Sequence, residues 1–278
     1  MKSLNISILG CGWLGLPLLR ALIADGHTVS GSSRKPETLA AITVAGGKAY
    51  HIDLPDHLAA TFMASADVLI ITLPPRARKL GMAAAMESMS AALAPLTNGR
   101  TELPSSARVI FTSSTSVYGA ETGVVTEKTG LDLFAAPSAM ALTTTETRLA
   151  VAFPGFSCLR LAGLVGPGRH PGRFYGGRER RIPNADAPVN LVHLDDVISA
   201  IRLLMDRKCG NGATFNVAAA AHPAKGDFYT AAAEDIGLKV AGRDPGGADG
   251  KIVNSDKLRA LGWQPVWDDL DLGYLIKS

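Results

Sequence analysis

An apolar run from Leu4 to Leu9 breaks into Gly10-Cys11-Gly12-Trp13-Leu14-Gly15 and resumes as a second apolar stretch reaching Asp25. Strand, glycine turn and helix is the reading this order permits, with the helix over roughly Trp13 to Asp25. Each glycine has its own mechanical role. Gly10 makes the tight turn, Gly12 admits a pyrophosphate to the backbone, and Gly15 lets the helix pack on the strand. The unpaired N–H groups and positive dipole end of the helix would receive that anion. Pro17 falls about one turn into the helix, where a missing N–H costs little, and Gly26 stands where a C-cap belongs. A glycine turn alone is weak evidence, but this one has the strand before it and the helix after it. Gly10, Cys11, Gly12, Trp13, Leu14 and Gly15 are therefore expected to hold a dinucleotide.

The second strand, His27 to Gly31, runs into Ser32-Ser33-Arg34-Lys35. An acidic residue about 20 positions beyond the glycines would accept the ribose 2′-hydroxyl of NAD, whereas a basic one accommodates the 2′-phosphate of NADP. No carboxylate precedes Glu37, while Ser33 can donate a hydrogen bond and Arg34 a charge-assisted one. NADP is the expected cofactor, with NAD the alternative should Arg34 be an ordinary solvated strand-end arginine. A helix over Pro36 to Ala45 and a strand over Ala49 to Ile52 lead to Asp53-Leu54. Asp53 is suited either to an adenine amino group or to capping the next helix. The run Asp67 to Leu73 reads as a strand covered on both faces, stopped by Pro74-Pro75. Leu73 and Pro74 then sit at the carboxyl edge of a parallel sheet, where such sheets bind ligands.

Residues 77–98 read as one long helix whose Met82, Met86 and Met89 form a core stripe. A buried strand, Arg108 to Phe111, leads into Thr112-Ser113-Ser114-Thr115-Ser116-Val117-Tyr118-Gly119. Hydroxyls at such a strand end suit the binding of a carbonyl or hydroxyl substrate, with Thr112 on the cofactor side. On spacing alone a Ser/Thr loop that caps backbone groups is the favoured reading.

A length of 278 residues, 47% hydrophobic and 19% charged, fits a well-buried α/β enzyme. A net charge of +3 gives no basis for a nucleic-acid partner. Cys11, Cys158 and Cys209 lack C-x-x-C spacing and are expected as reduced thiols, so no metal is expected. The first strand begins within a few residues of Met1, leaving no room for a signal peptide, and no apolar run reaches about 18 residues. No membrane partner is expected and the cytoplasm is the simplest compartment; a homodimer stays open.

Further blocks give the chain a family resemblance: Ser113 to Gly119, Gly166-Pro167-Gly168, Asn190-Leu191-Val192-His193-Leu194-Asp195-Asp196-Val197, Phe215-Asn216-Val217, and Leu258 to Pro265. In order and spacing the sequence resembles the extended, atypical short-chain dehydrogenases/reductases, the NAD(P)-dependent epimerase/dehydratase family. The block Leu159 to Phe174 looks most like the bacterial YeeZ-type branch. The resemblance implies an α/β fold: a Rossmann-type doubly wound parallel sheet with a smaller discontinuous C-terminal substrate lobe. It places the cofactor domain at 1–165, with 189–217 returning to it, and the substrate lobe at 166–188 and 218–278. Ser114 matches the catalytic Ser/Thr that binds the reacting oxygen.

Two departures stand out. Leu9 occupies the family's first glycine position, and the Tyr-x-x-x-Lys pair is missing. Its place falls near Ala139 and Thr143, and no tyrosine in the chain is followed by lysine four positions later. That pair supplies the family's general acid/base, worth typically 10²–10⁴-fold. His170, Tyr175 and His193 are the replacements to weigh, His193 having a structural role before the Asp195-Asp196 cap as its alternative. Arg169, Arg173, Arg178, Arg180 and Arg181 surround His170, Phe174 and Tyr175. They suit a small anionic substrate, a nucleotide-sugar among them, held with His193, or else a solvated loop. The expected activity is that of an NADP(H)-binding oxidoreductase or epimerase with an atypical active site; the alternative is a non-catalytic NADP-binding redox sensor or scaffold.

Overall fold

The computed structural model describes residues 2–54, 59–73, 91, 93, 94, 96, 103–131, 137–206 and 213–277. Pro74, Cys209 and the Met82, Met86 and Met89 stripe lie outside these residues; of the helix expected over 77–98, the described positions 91, 93, 94 and 96 are helical. Contacts divide the chain into two compact units: residues 1–117, 133–159 and 204–214, and residues 118–132, 160–203 and 215–278.

The first unit is built on β1 (Asn5–Leu9), α1 (Gly15–Ala24), β2 (Thr28–Ser33), α2 (Pro36–Val44), β3 (Lys48–His51), β4 (Val68–Ile71), β5 (Arg108–Ser114) and α3 (Pro137–Ala152). The seven-stranded sheet runs in the order β10-β7-β5-β4-β1-β2-β3, where β7 is Phe156–Leu161 and β10 is Ala213–Val217. From β3 across to β5 every neighbouring pair is parallel. Because the chain leaves β1 on one side to β2 and β3 and returns on the other to β4 and β5, the order reverses between β1 and β4. This is the switch point where open α/β sheets bind ligands, and the architecture is Rossmann-like. Continuous burial explains the continuous apolar sequence: all four residues of β4 are buried, and so are Ile6, Ile8 and Leu9 of β1. α1 turns Leu18, Leu19 and Leu22 inward and ends at Gly26, whose φ of +88° suits glycine. No helix among the described residues is long and apolar enough to cross a membrane.

The second unit holds two small parallel pairs. β6 (Gly123–Val125) pairs with β11 (Lys251–Val253), and β8 (Gly163–Val165) with β9 (Leu191–His193). Its core gathers Val165, Ile182, Val189, Leu191, Phe228 and Trp267, with Phe174 and Tyr175 packed against it. The contact boundaries differ from those expected from sequence: residues 118–132, 160–165, 189–203 and 215–217 group with the second unit. The β6–β11 pairing joins the first of these segments to the chain at 251–253, and the β8–β9 pairing joins the second to the third.

α4 (Leu194–Asp206) follows β9 directly, and its Asp196 is 2% exposed. The carboxylate accepts the N–H groups of Val266 at 2.6 Å and Trp267 at 3.1 Å, while the Asp196 carbonyl accepts Trp263 Nε1–H at 3.1 Å. Arg259 adds a two-pronged pair to Asp268 at 2.6 and 3.0 Å. The chain after Leu258 is thus anchored by two carboxylates. Replacing Asp196 by alanine orphans two backbone donors and should destabilise the fold by about 2–5 kcal/mol. Urea titration followed by tryptophan fluorescence measures this; an unchanged midpoint would remove Asp196 as the anchor.

Candidate functional site

The first unit places the glycine turn at the switch point. Gly10 has φ +105°, a conformation that a side chain would strain. Its N–H donates to Ser32 Oγ at 3.0 Å, Cys11 N–H to the Ser32 carbonyl at 2.7 Å, and Gly12 N–H to the Gly10 carbonyl at 2.8 Å. Thr72, just past β4, donates its hydroxyl to the Gly10 carbonyl at 2.6 Å. A Cβ on Gly15 would collide with that same carbonyl oxygen, so only glycine lets α1 start here. A Cβ on Gly12 would instead meet nothing within 4 Å. That space, at the start of a helix whose N-cap Leu14 offers no side-chain acceptor, fits a diphosphate held by backbone donors. Leu73 closes on the other side of the turn, its Cδ2 3.0 Å from where a Gly10 Cβ would stand. Trp13 is half-buried at the turn.

Cys11 is a packing residue. Burial pushes its thiol up to about 12, so it stays protonated at neutral pH. Its sulfur would lie 2.7 Å from a Cβ on Gly31, which makes it the filler between the turn and β2. Cys11 and Cys158 are both buried.

At the far edge, Ser33 Oγ accepts the Lys35 N–H at 3.1 Å, and Arg34 pairs with Asp53 at 3.3 Å. Both members of that pair are about half exposed, and Leu54 follows in a turn. The residues expected to recognise the adenosine end are therefore adjacent, since β2 and β3 pair with Ser33 opposite His51.

Strand β5 runs further than expected, through Thr112 and Ser113 to Ser114. Thr112 is buried and donates to the Ile71 carbonyl at 3.3 Å, so its hydroxyl braces β4. Ser113 points to the opposite face and donates to Glu146 Oε1 at 2.5 Å. Glu146 is 6% exposed on α3, the helix that also carries Ala139 and Thr143. Ser114 remains half-buried, and its Oγ accepts the Ser116 N–H at 3.1 Å. That bond uses one of the two hydroxyl lone pairs and fixes the position of the oxygen, with the hydroxyl hydrogen free to rotate toward a partner.

In the second unit His193 is fully buried, and its Nδ1 accepts the Asp195 N–H at 3.2 Å, the helix-orienting role given as its alternative. Burial pulls its imidazole below the usual histidine range, against the Asp195 and Asp196 carboxylates. Nε2 has no hydrogen-bond partner among the described residues. Instead, the ring stands edge-on to Tyr274, with centroids 5.1 Å apart. His170 caps the short 3-10 turn Pro171–Phe174 by accepting Gly172 N–H at 3.2 Å, with Nε2 3.5 Å from Asp235. Burial lowers its pKa, and Asp235 opposes that. Tyr175 packs on Tyr229 and lies under the Arg180 guanidinium, 4.5 Å from ring centre to Cζ. Of the arginine cluster, Arg178 and Arg180 donate to the carbonyls of Arg173 and Phe174, and Arg181 binds Asp244. Arg173 is exposed, and burial lowers the Arg169 pKa.

Ser32, Thr72 and Glu146 were not foreseen from sequence, and neither was a buried trio in the second unit. There Tyr118 donates to Asn216 Oδ1 at 2.7 Å and accepts from Arg160 at 3.0 Å.

Comparisons with known proteins agree with this geometry. Residues 5–92 match the family described as NADP oxidoreductase, coenzyme F420-dependent, which takes in the glycine turn. Protein YeeZ of Escherichia coli K12 is 38% identical over 281 residues, covering 95% of this chain and 97% of its own. A putative NAD-dependent epimerase/dehydratase from Methylobacillus flagellatus superposes with TM-score 0.74 at 25% identity, covering 99% of this chain and 98% of its own. The UDP-glucuronic acid 4-epimerase of Bacillus cereus, in complex with UDP-glucuronic acid and NAD, gives 0.74 at 16% identity over 98% and 96%.

The two glycines make opposite predictions. Gly12→Ala should leave the thermal midpoint within a degree or so while weakening dinucleotide binding at least tenfold, because the methyl fills only the ligand's space. Gly15→Ala should lower the midpoint, because its methyl strikes backbone. Calorimetry and nucleotide titration of both variants check this; equal midpoints would contradict the close approach.

Proposed function

The chain belongs to the YeeZ-type branch of the short-chain dehydrogenases/reductases, the NAD(P)-dependent epimerase/dehydratase superfamily, and we propose that it is an NADP(H)-dependent oxidoreductase or epimerase. Its substrate on this reading is a small anionic hydroxyl or carbonyl compound, nucleotide-sugars being the class to test first. The observation that carries the reading is the braced glycine turn, with space over Gly12 at the start of α1. The superfamily's solved members include complexes of UDP-sugars with NAD. The choice of NADP rests on this chain's own residues: Arg34, and no carboxylate at the end of β2.

When bound, the nicotinamide supplies or accepts the hydride. Gly10, Gly12 and Gly15 shape the backbone that receives the diphosphate, and Ser33 and Arg34 face the 2′-phosphate. Ser114 would donate its hydroxyl to the reacting oxygen, an assignment supported by its place at the end of β5 and by the Ser116 N–H that holds its oxygen. The family's tyrosine and lysine are missing, so the proton must come from elsewhere. His170 and Tyr175 are the groups we assign for testing, with Arg169, Arg173 and His193 on the substrate side. The missing pair also supports a second reading, a dinucleotide-binding sensor or scaffold without turnover.

Fluorescence titration should show NADPH binding more tightly than NADH; tighter NADH would overturn the cofactor choice. With a nucleotide-sugar panel, Ser114→Ala should slow turnover by about 10²-fold or more. An unchanged rate would remove Ser114 from the chemistry, and no turnover by the parent protein on any member would favour the sensor.

A further inference from the structure

Arg34 already has an anionic partner inside the protein. It stands just past β2 and Asp53 just past β3, and the parallel register that sets Ser33 opposite His51 brings them to one edge. Their single contact, 3.3 Å from a terminal guanidinium nitrogen to one carboxylate oxygen, joins side chains 47% and 49% exposed. The neighbouring cation is engaged elsewhere, since Lys35 lies 3.6 Å from Glu37. The pair is also fixed relative to the glycine turn. Ser32, two residues before Arg34, accepts the Gly10 and Cys11 N–H groups at 3.0 and 2.7 Å.

Building on the cofactor reading above, we propose that Asp53 sets nucleotide selectivity by competing with the 2′-phosphate for Arg34. The two nicotinamide cofactors differ at this spot by a neutral hydroxyl against a dianionic phosphate. A phosphate offers three acceptor oxygens and forms two-pronged guanidinium contacts, whereas Asp53 makes one long contact. The phosphate therefore displaces the carboxylate, but it must break the pair and then sit beside the released negative charge. NADH faces neither cost. Asp53 thereby holds the preference for NADPH below what Arg34 alone would give, and the protein accepts both nucleotides more evenly than a bare strand-end arginine would allow. Screening by salt weakens both the pair and the repulsion.

The test is the ratio of NADH to NADPH dissociation constants, measured by fluorescence titration for the parent protein, Asp53→Asn, Arg34→Ala and the double variant. Using a ratio cancels any contact that Asp53 makes with the adenine, which both nucleotides share. Asp53→Asn should raise the ratio about two- to fivefold, the range for an exposed ion pair. It should do so more at low salt, and by less in the Arg34→Ala background, where only the repulsion between carboxylate and phosphate is left to relieve. A ratio that falls in Arg34→Ala but is unmoved by Asp53→Asn would overturn the competition and leave the NADP reading standing. A rise that is just as large without Arg34 would overturn it too. A ratio unmoved by any variant, or no binding of either nucleotide, would overturn both.

Discussion

The start of α1 approaches the end of β1 closely enough that a Cβ on Gly15 would collide with the Gly10 carbonyl oxygen. That carbonyl is also the acceptor for Thr72 Oγ1 and for the Gly12 N–H. One oxygen therefore ties together β1, the turn, the helix and the end of β4, and a side chain at Gly15 would push them apart. Ser32 extends the same lattice to β2 through two further hydrogen bonds. Three strands and a helix converge yet leave open the space that a Cβ on Gly12 would take, and that is where a diphosphate would find room. The strain of φ +105° at Gly10 is the conformational cost of this convergence, small because the residue has no Cβ.

The second unit is held by a different device, buried carboxylates satisfied by backbone donors. Asp196 is raised above the usual carboxylate range by burial, and the Val266 and Trp267 N–H groups oppose that shift. Its neighbour His193 is buried with one nitrogen satisfied and the other against aromatic edges. The Asp196 contacts anchor the segment after Leu258. Asp268 repeats the strategy, accepting Arg259 and the Ala220 N–H.

Much of the fold was legible in sequence because strands covered on both faces must read as unbroken apolar runs. The Val68–Ile71 strand and the glycine turn followed directly, and so did the buried, unreactive state of Cys11. What escaped was every brace whose partner is distant in the chain. Ser32, Thr72 and Glu146 are ordinary polar residues until folding brings Gly10 and Ser113 to them. The hydroxyl-rich stretch Thr112 to Ser114 suggested a loop on propensity, but pairing within the sheet decided for strand. Composition also could not say how cations are used. Arg178, Arg180 and Arg181 form a conspicuous run, yet the fold turns each toward a carbonyl or carboxylate of its own unit. The pairing of Arg34 with Asp53 was hidden for the same reason, because the two residues meet only once β2 and β3 are in register.

Every functional role proposed for this chain requires a dinucleotide diphosphate resting above Gly12 at the head of α1. Crystals grown with NADPH test this directly. Density for the diphosphate should lie over the Gly12–Gly15 backbone, with the 2′-phosphate against Arg34. Crystals saturated with NADPH but showing that backbone bare, or covered by the protein's own side chains, would contradict it.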